Sequence, residues 1–389
     1  MSLRVGFRLE YSRMEESSVM GHSLRSESMV DEAEFMRRAI ELAERGRHRV
    51  MPNPLVGCVL VRDGEVIAEG WHDHLGGLHA EQMAVSDAEA KGVPTQGSTA
   101  YVTLEPCNHF GRTPPCTEAL LWAGVKRVVI GALDPNPTVR GDGADALRMA
   151  GVEVENGLLA GDCAAQMDEF MHWCENIRPQ VLLKAAIDAN GRVDCDPAEP
   201  AQRFSSAESL EIVHALRADS MAILVGVDTV VRDNPSLTVR GPDIGPRTPP
   251  VRVVVDPNGR TPSDCKLLAD GAAPTMLIHA GGFDFSTLTS PDANHVERVV
   301  LADEEGEIPV ARILQFLGDR GIQLLLVEGG PNTWRRFLEA GAVDRAHLCQ
   351  SPVKLTGQGD TFGEADLEAA GLSRVREIEV GGDTISHWS

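Results

Sequence analysis

Apolar residues in this chain recur in two periods, every second position and every third or fourth. The two periods alternate from about residue 30 to the end. Residues 31–45 (DEAEFMRRAIELAER) space Phe35, Ile40 and Leu42 among charges and begin with acidic residues, which predicts an amphipathic helix. Residues 55–62 and 65–70 are apolar runs joined at Asp63-Gly64, the signal of a strand hairpin. Residues 79–90 hold no Gly or Pro and are rich in Ala, Glu and Met, so a helix is expected. A strand at 100–104, a Pro/Gly-rich loop, a helix at 116–123 and a strand at 126–132 follow. Arg178-Pro179 stops the last helix of this half. The first domain is therefore expected over residues 30–177.

The second half, residues 180–389, alternates again with different content. Strands are predicted at 181–186, 222–227, 251–256, 275–279, 323–327 and 347–351. Helices are predicted at 207–217, 311–319 and 334–340, and residues 242–250 read as a Pro/Gly-rich surface loop. There is no internal repeat, so the pattern implies two unlike α/β domains. Residues 1–28 are polar and mixed in charge and read as a disordered extension, with Met29 a reasonable alternative start.

Composition narrows the partners. The 389 residues carry 36 Lys+Arg against 58 Asp+Glu, a net charge of −22, which leaves no basic face for a nucleic acid. A local pocket of Arg and backbone N–H groups can still hold one phosphate. The longest apolar runs are strand-sized and residues 1–28 lack the apolar core of a secretory signal, so no membrane partner is expected. Eight cysteines scattered over a long chain suit a reducing, cytoplasmic compartment better than a disulfide scaffold. A homo-oligomer is expected.

Three short pieces of the first half carry chemistry: His79-Ala80-Glu81, Pro106-Cys107 and Pro114-Pro115-Cys116. One imidazole and two thiolates make a catalytic zinc set that keeps a fourth position for water, which the ion acidifies far enough to supply hydroxide. Glu81, in the first turn of a helix, can sit beside that water and shuttle protons to a leaving amine. Cys116 opens a helix, whose dipole favours its thiolate. This is the pattern of zinc deaminases. Two other readings remain at this level: scattered cysteines as small buried hydrophobes, and a closed structural zinc with His109 as fourth ligand.

Eight residues separate Cys107 from Cys116, whereas cytidine and adenosine deaminases have two. The run TLEPCNHFGRTPPC (residues 103–116), with PNPLVGC (52–58) and HAE, closely resembles the riboflavin-biosynthesis deaminase family, usually a pyrimidine deaminase joined to a C-terminal reductase. The resemblance covers roughly residues 30–389. It implies a cytidine-deaminase-like αβα domain that hydrolyses the 2-amino group of 2,5-diamino-6-(5-phosphoribosylamino)pyrimidin-4(3H)-one. By position it makes His79, Cys107 and Cys116 the Zn2+ ligands and Glu81 the proton shuttle. Asn53, His109, Arg112 and Asn136 become contacts to this small phosphorylated pyrimidine. After HAE the family usually has Val/Ile-His, where this chain has Gln82-Met83.

No G-x-G-x-x-G fingerprint occurs in the second half. Residues 324–336, LLLVEGGPNTWRR, instead run a buried strand into glycines and a helix start, a moderate phosphate-binding signal. With GVDTVVRDNPSLTVR (226–240), Lys184 and SPVKL (351–355), this resembles the family's reductase domain. A dihydrofolate-reductase-like α/β fold is then implied, using NADPH to reduce the ribosyl side chain to ribityl. Ala186, Thr229, Asp233, Gly330, Pro331, Asn332, Thr333, Trp334, Arg335 and Arg336 would contact NADPH. Arg217, Leu237, Arg240 and Glu328 would contact substrate, with Lys184 and Glu328 near the reacting carbon.

Departures cluster here. Asn190 and Asp188 replace the family's Asp and Ser, Ala201 replaces a substrate Ser, and Arg203 interrupts a Gln-Trp-Ile segment. Asn cannot accept a proton, so any acid/base role at position 190 would be lost. The alternative is a deaminase whose degenerate second domain serves binding or oligomerisation.

Overall fold

The computed structural model describes residues 25–110, 114–136, 140–196, 201–282, 294–357 and 359–389, with side chains from residue 32 onward. The first half runs α1 (Arg25–Ala43), β1 (Gly57–Arg62), β2 (Glu65–Trp71), α2 (Ala80–Lys91), β3 (Thr99–Leu104), α3 (Cys116–Trp122) and β4 (Arg127–Ala132). It closes with α4 (Asp142–Met149), β5 (Glu153–Asn156), α5 (Ala160–Gln166) and α6 (Asp168–Asn176). Its five strands lie in the order β2-β1-β3-β4-β5, antiparallel around β1 and parallel from β3 onward.

Alternation explains the layering. In β1, Cys58 and Leu60 join the core under α2, α3 and α4, while Val59 and Val61 face Met36, Ala39 and Leu42 of α1. Gly70 lets β2 run against α2: a Cβ there would lie 2.2 Å from the Ala80 carbonyl oxygen. The helix that carries the HAE motif is thereby held tight to the sheet. The last helix of this half ends with Ile177 left-handed (φ 52°) before Arg178, which forks onto Asp344 at 2.6 and 2.9 Å.

The second half contributes β6 (Gln180–Ile187), α7 (Ala207–Asp219), β7 (Ala222–Gly226), α8 (Val227–Asp233), β8 (Val251–Val255), α9 (Lys266–Ala269) and β9 (Thr275–His279). It continues with β10 (Val296–Val300), α10 (Val310–Asp319), β11 (Leu324–Val327), α11 (Pro331–Glu339), β12 (Arg345–Gln350), α12 (Glu364–Ala369), β13 (Arg374–Val380) and β14 (Asp383–Trp388). Nine strands lie in the order β10-β9-β8-β7-β11-β6-β12-β14-β13, parallel from β10 to β12 and antiparallel beyond. Central strands such as β7 are buried on both faces, as apolar runs in parallel sheets require.

Every strand that the hydrophobic pattern predicted is present. Four strands were not predicted: β5, β10 and β13, each at a sheet edge where half-exposed and charged residues replace the apolar signal, and β14, an interior strand between β12 and β13 whose run Asp383–Trp388 mixes polar and apolar residues. The 242–250 segment is less superficial than expected, because Arg247 is only 6% exposed and donates to the Ser220 carbonyl.

Candidate active sites

His79 caps the N-terminus of α2, Cys107 follows β3, and Cys116 opens α3. The His79 Nδ1 lies 3.2 Å from Cys116 Sγ and 3.6 Å from Cys107 Sγ, and the three ligand atoms all fall within 4.8 Å of one another. A tetrahedral zinc with bonds of about 2.0–2.3 Å separates N and S ligands by roughly 3.5 Å, so the set fits. His109 is exposed and joins no such cluster among the described residues, which removes the closed four-ligand alternative.

The thiols differ in character. Hydrogen bonds from Cys116 and His79 draw Cys107 down to about 4 against its burial, while the same contact with Cys107, and burial, push Cys116 up. The Cys107 hydrogen bond raises His79 above its ordinary value. Glu81, 3% exposed in the first turn of α2, is lifted to about 7 by burial and by the neighbouring Cys107 charge. A carboxyl poised there can both take and return a proton.

Supports around the triangle were not legible beforehand. Gln82, flagged as a departure, accepts from the His79 N–H at 3.1 Å and donates to the Pro114 carbonyl at 2.9 Å. It therefore ties the helix bearing one ligand to the loop bearing another. Glu105 is 6% exposed, and its carboxylate accepts four backbone N–H groups, those of Asp134, Gly141, Gly143 and Ala144, at 3.0–3.2 Å. One side chain, two residues before Cys107, thus moors both Asp134, on which Asn136 is held, and the first turn of α4. The sole sequence signal was an acid at a strand end. Glu105→Ala should strand these donors and lower stability by about 3 kcal/mol or more, read as a reduced urea midpoint.

Asn53 stands near the triangle: its amide Nδ2 lies 3.1 Å from His72 Nε2, and the His72 and His79 rings are 5.4 Å apart. Asn136 is held by its own N–H on Asp134. Arg112 lies outside the described residues.

The second half opens a cavity of about 870 Å³ beside the C-terminal ends of its central strands. Lys184 and Ala186 line it from β6, Thr229 and Asp233 from α8, and Leu237 and Arg240 from the loop beyond. Glu328 and residues 330–334 complete the wall. Arg217 is no solvated surface group. Its guanidinium grips both Glu328 oxygens, at 2.6 and 2.7 Å, and Thr238 O at 3.1 Å. That pair holds the Glu328 carboxyl below its ordinary value despite burial, whereas desolvation lowers Lys184 against the attraction of Glu328.

The seven-residue run 330–336 divides as a helix must. Trp334 is 6% exposed and packs against Phe362 with the rings tilted by 54° and their centroids 5.0 Å apart. Arg336 lines a neighbouring cavity of about 160 Å³. Arg335 lines neither and donates instead to Thr361 O at 2.7 Å, because successive helical side chains point about 100° apart. Gly329 leaves Thr333 its space, since a Cβ there would sit 2.7 Å from the Thr333 Cβ. The Gly330 N–H meets the Thr229 hydroxyl at 3.1 Å. Close backbone, a helix start and several cations suit a phosphate-bearing dinucleotide.

The departures sort themselves as well. Asn190 is exposed and is not among the residues that line the cleft. Asp188 is fully buried and accepts N–H bonds from Asn190, Arg192 and Leu355 at 2.7–2.8 Å, supplying the turn with its carboxylate. Ala201 and Arg203 do line the cleft.

Residues 179–384 match the RibD C-terminal domain, and residues 29–132 match the cytidine and deoxycytidylate deaminase zinc-binding region. The chain is 42% identical to the riboflavin biosynthesis protein RibD of Actinobacillus pleuropneumoniae, covering 83% of this chain and 84% of that one. It is 36% identical to the RibD of Aquifex aeolicus, over 89% and 94%. Among solved structures, Acinetobacter baumannii RibD superposes with a TM-score of 0.80 at 34% identity, covering 92% of this chain and 99% of that one. A diaminohydroxyphosphoribosylaminopyrimidine deaminase/5-amino-6-(5-phosphoribosylamino)uracil reductase from Thermotoga maritima gives 0.79 at 34% identity, over 93% and 99%.

Proposed function

Since the chain belongs to the RibD family of riboflavin-biosynthesis deaminase/reductases, we propose that its two sites act in turn on one phosphorylated pyrimidine. It is a zinc-dependent deaminase of 2,5-diamino-6-(5-phosphoribosylamino)pyrimidin-4(3H)-one and an NADPH-dependent reductase of the product's ribosyl side chain. The observation that carries the assignment of residues is the His79, Cys107 and Cys116 triangle with the buried Glu81 beside it. These three residues would hold zinc, which when bound supplies Lewis acidity and lowers the pKa of water toward neutrality. Glu81 accepts a proton from the attacking water and delivers it to the leaving amine. Asn53, His109, Arg112 and Asn136 orient the pyrimidine, with the Arg112 guanidinium suited to the phosphate.

In the second half NADPH supplies the hydride. Residues 330–334 and 336, with Ala186, Thr229 and Asp233, bind and orient it. Arg335, turned to Thr361, is left out of this set. Lys184 gives a proton at the reduced carbon's heteroatom, while the Arg217–Glu328 fork, Leu237 and Arg240 hold the substrate. We place the division between the halves at Arg178-Pro179. No helix among the described residues is long and apolar enough to cross a membrane. We further propose a cytoplasmic homo-oligomer without nucleic-acid partners, a reading supported by the net charge of −22 and eight free cysteines.

A coupled assay following ammonia and NADPH tests the scheme. Ammonia release should precede any NADPH oxidation, and supplying the deaminated pyrimidine should abolish the lag. Deamination without NADPH oxidation on either substrate would reduce the second domain to a binding module.

A further inference from the structure

The segment before Asn53 is anchored in the other half of the molecule. Met51, 8% exposed, belongs to the apolar core formed by Leu182, Ile223 and Val225 of the reductase sheet. Arg247 Nη1 approaches its sulfur at 3.4 Å. The next residue, Pro52, presents its carbonyl to Gln323 Nε2 at 2.9 Å. Gln323 itself is 4% exposed and fixed from both sides: its carbonyl accepts the Gln180 N–H at 2.8 Å, and its N–H meets Met221 Sδ at 3.5 Å. The seam encloses only about 20 Å³ among Met51, Asn53, Asp219 and Gln323, room for about one water.

From there the chain of contacts leads to the metal ligands. Asn53 N–H bonds Val50 O at 3.0 Å. The Leu78 carbonyl, 2.9 Å from His72 Nδ1, can only accept, so His72 carries its proton on Nδ1 and its Nε2 accepts from the Asn53 amide. That settles which end of the amide is which: Nδ2 is spent on His72, and Oδ1 is the end left for a ligand.

We infer that Gln323, at the entrance to β11 of the reductase sheet, is a positioning residue for deamination. Its side-chain amide, with Met51 seated in the reductase core, holds Pro52-Asn53 so that Asn53 meets the pyrimidine in a single orientation. The inference rests on the reading that Asn53 contacts substrate. It gives the reductase half a second task, as the wall against which the deaminase pocket is built.

The test uses the full chain. Gln323→Leu keeps the volume and removes the side-chain donor that holds the Pro52 carbonyl. The KM for the diaminopyrimidine should rise about tenfold with kcat within about threefold, while the KM for NADPH in the reductase step stays unchanged. Asn53→Ala should raise the same KM, and the double variant should be no worse than Asn53→Ala alone, because both changes remove one interaction. Gln323→Met, read in the same way, serves if the Leu variant does not fold. A wild-type KM in the Gln323 variants, additive effects in the double variant, or parallel loss of both activities would each overturn the inference. A wild-type KM in Asn53→Ala would instead sink the substrate reading, and it shows without any change at Gln323.

Discussion

Glu81→Gln is expected to lower deamination by about 10²–10⁴-fold, the usual contribution of a placed acid/base group, with zinc content unchanged. Gln fills the same volume but can neither take nor return a proton. The metal should stay because Glu81 is no member of the His79, Cys107 and Cys116 triangle. Burial lifts this carboxyl from 4.5 to about 7, and a divalent cation on the adjacent ligands pulls it back. The carboxylate form is the one that accepts water's proton. Activity should therefore fall as pH drops through a single limb between 4.5 and about 7. Ammonia release at saturating substrate, alongside metal analysis, checks this. Turnover near the wild-type level in the variant would remove Glu81 from the mechanism.

Lys184→Met should cut NADPH oxidation by about 10²–10⁴-fold while ammonia release by the same molecules stays within about twofold. Lys184 lines the cleft beside the Arg217–Glu328 fork, and desolvation draws its pKa below 10.5 against the attraction of Glu328. As the proton donor it must be charged, so the wild-type reductase should lose activity as pH rises through a value below 10.5. The alkaline limb should vanish from the residual activity of the variant. Stopped-flow oxidation of NADPH with the deaminated substrate reads both. An unchanged rate, or an alkaline limb that persists in the variant, would move the proton's source elsewhere.

The zinc site was readable because metal chemistry narrows the choice of residue type. Only a few side chains ligate zinc, and the order H-x-E, P-C, P-P-C places each at a helix start or strand end. The parallel strands were readable because burial on both faces forces near-continuous apolar runs. Edge strands β5, β10 and β13 lack that pressure, so their residues look like loops. The substitution at Asn190 looked costly because a motif records residue types without exposure. In the fold Asn190 is exposed and does not line the cleft, and the carboxylate of Asp188 is buried on the backbone N–H groups of the turn.

The sequence by itself pointed to two α/β halves, to His79, Cys107 and Cys116 as a candidate ligand set with Glu81 beside it, and, through its family resemblance, to candidate residues for a second, cofactor-using site. Composition, period and the spacing of rare side chains are local properties, and they survive without coordinates. The tertiary structure alone decided which polar groups share a partner. Glu105 collects the N–H groups of Asp134, Gly141, Gly143 and Ala144, Arg217 is claimed by Glu328 across 111 positions, and Gln323 reaches Pro52 across 271. Such bonds are set by the need to satisfy every buried donor and acceptor, whatever their separation along the chain, and no local pattern records that requirement.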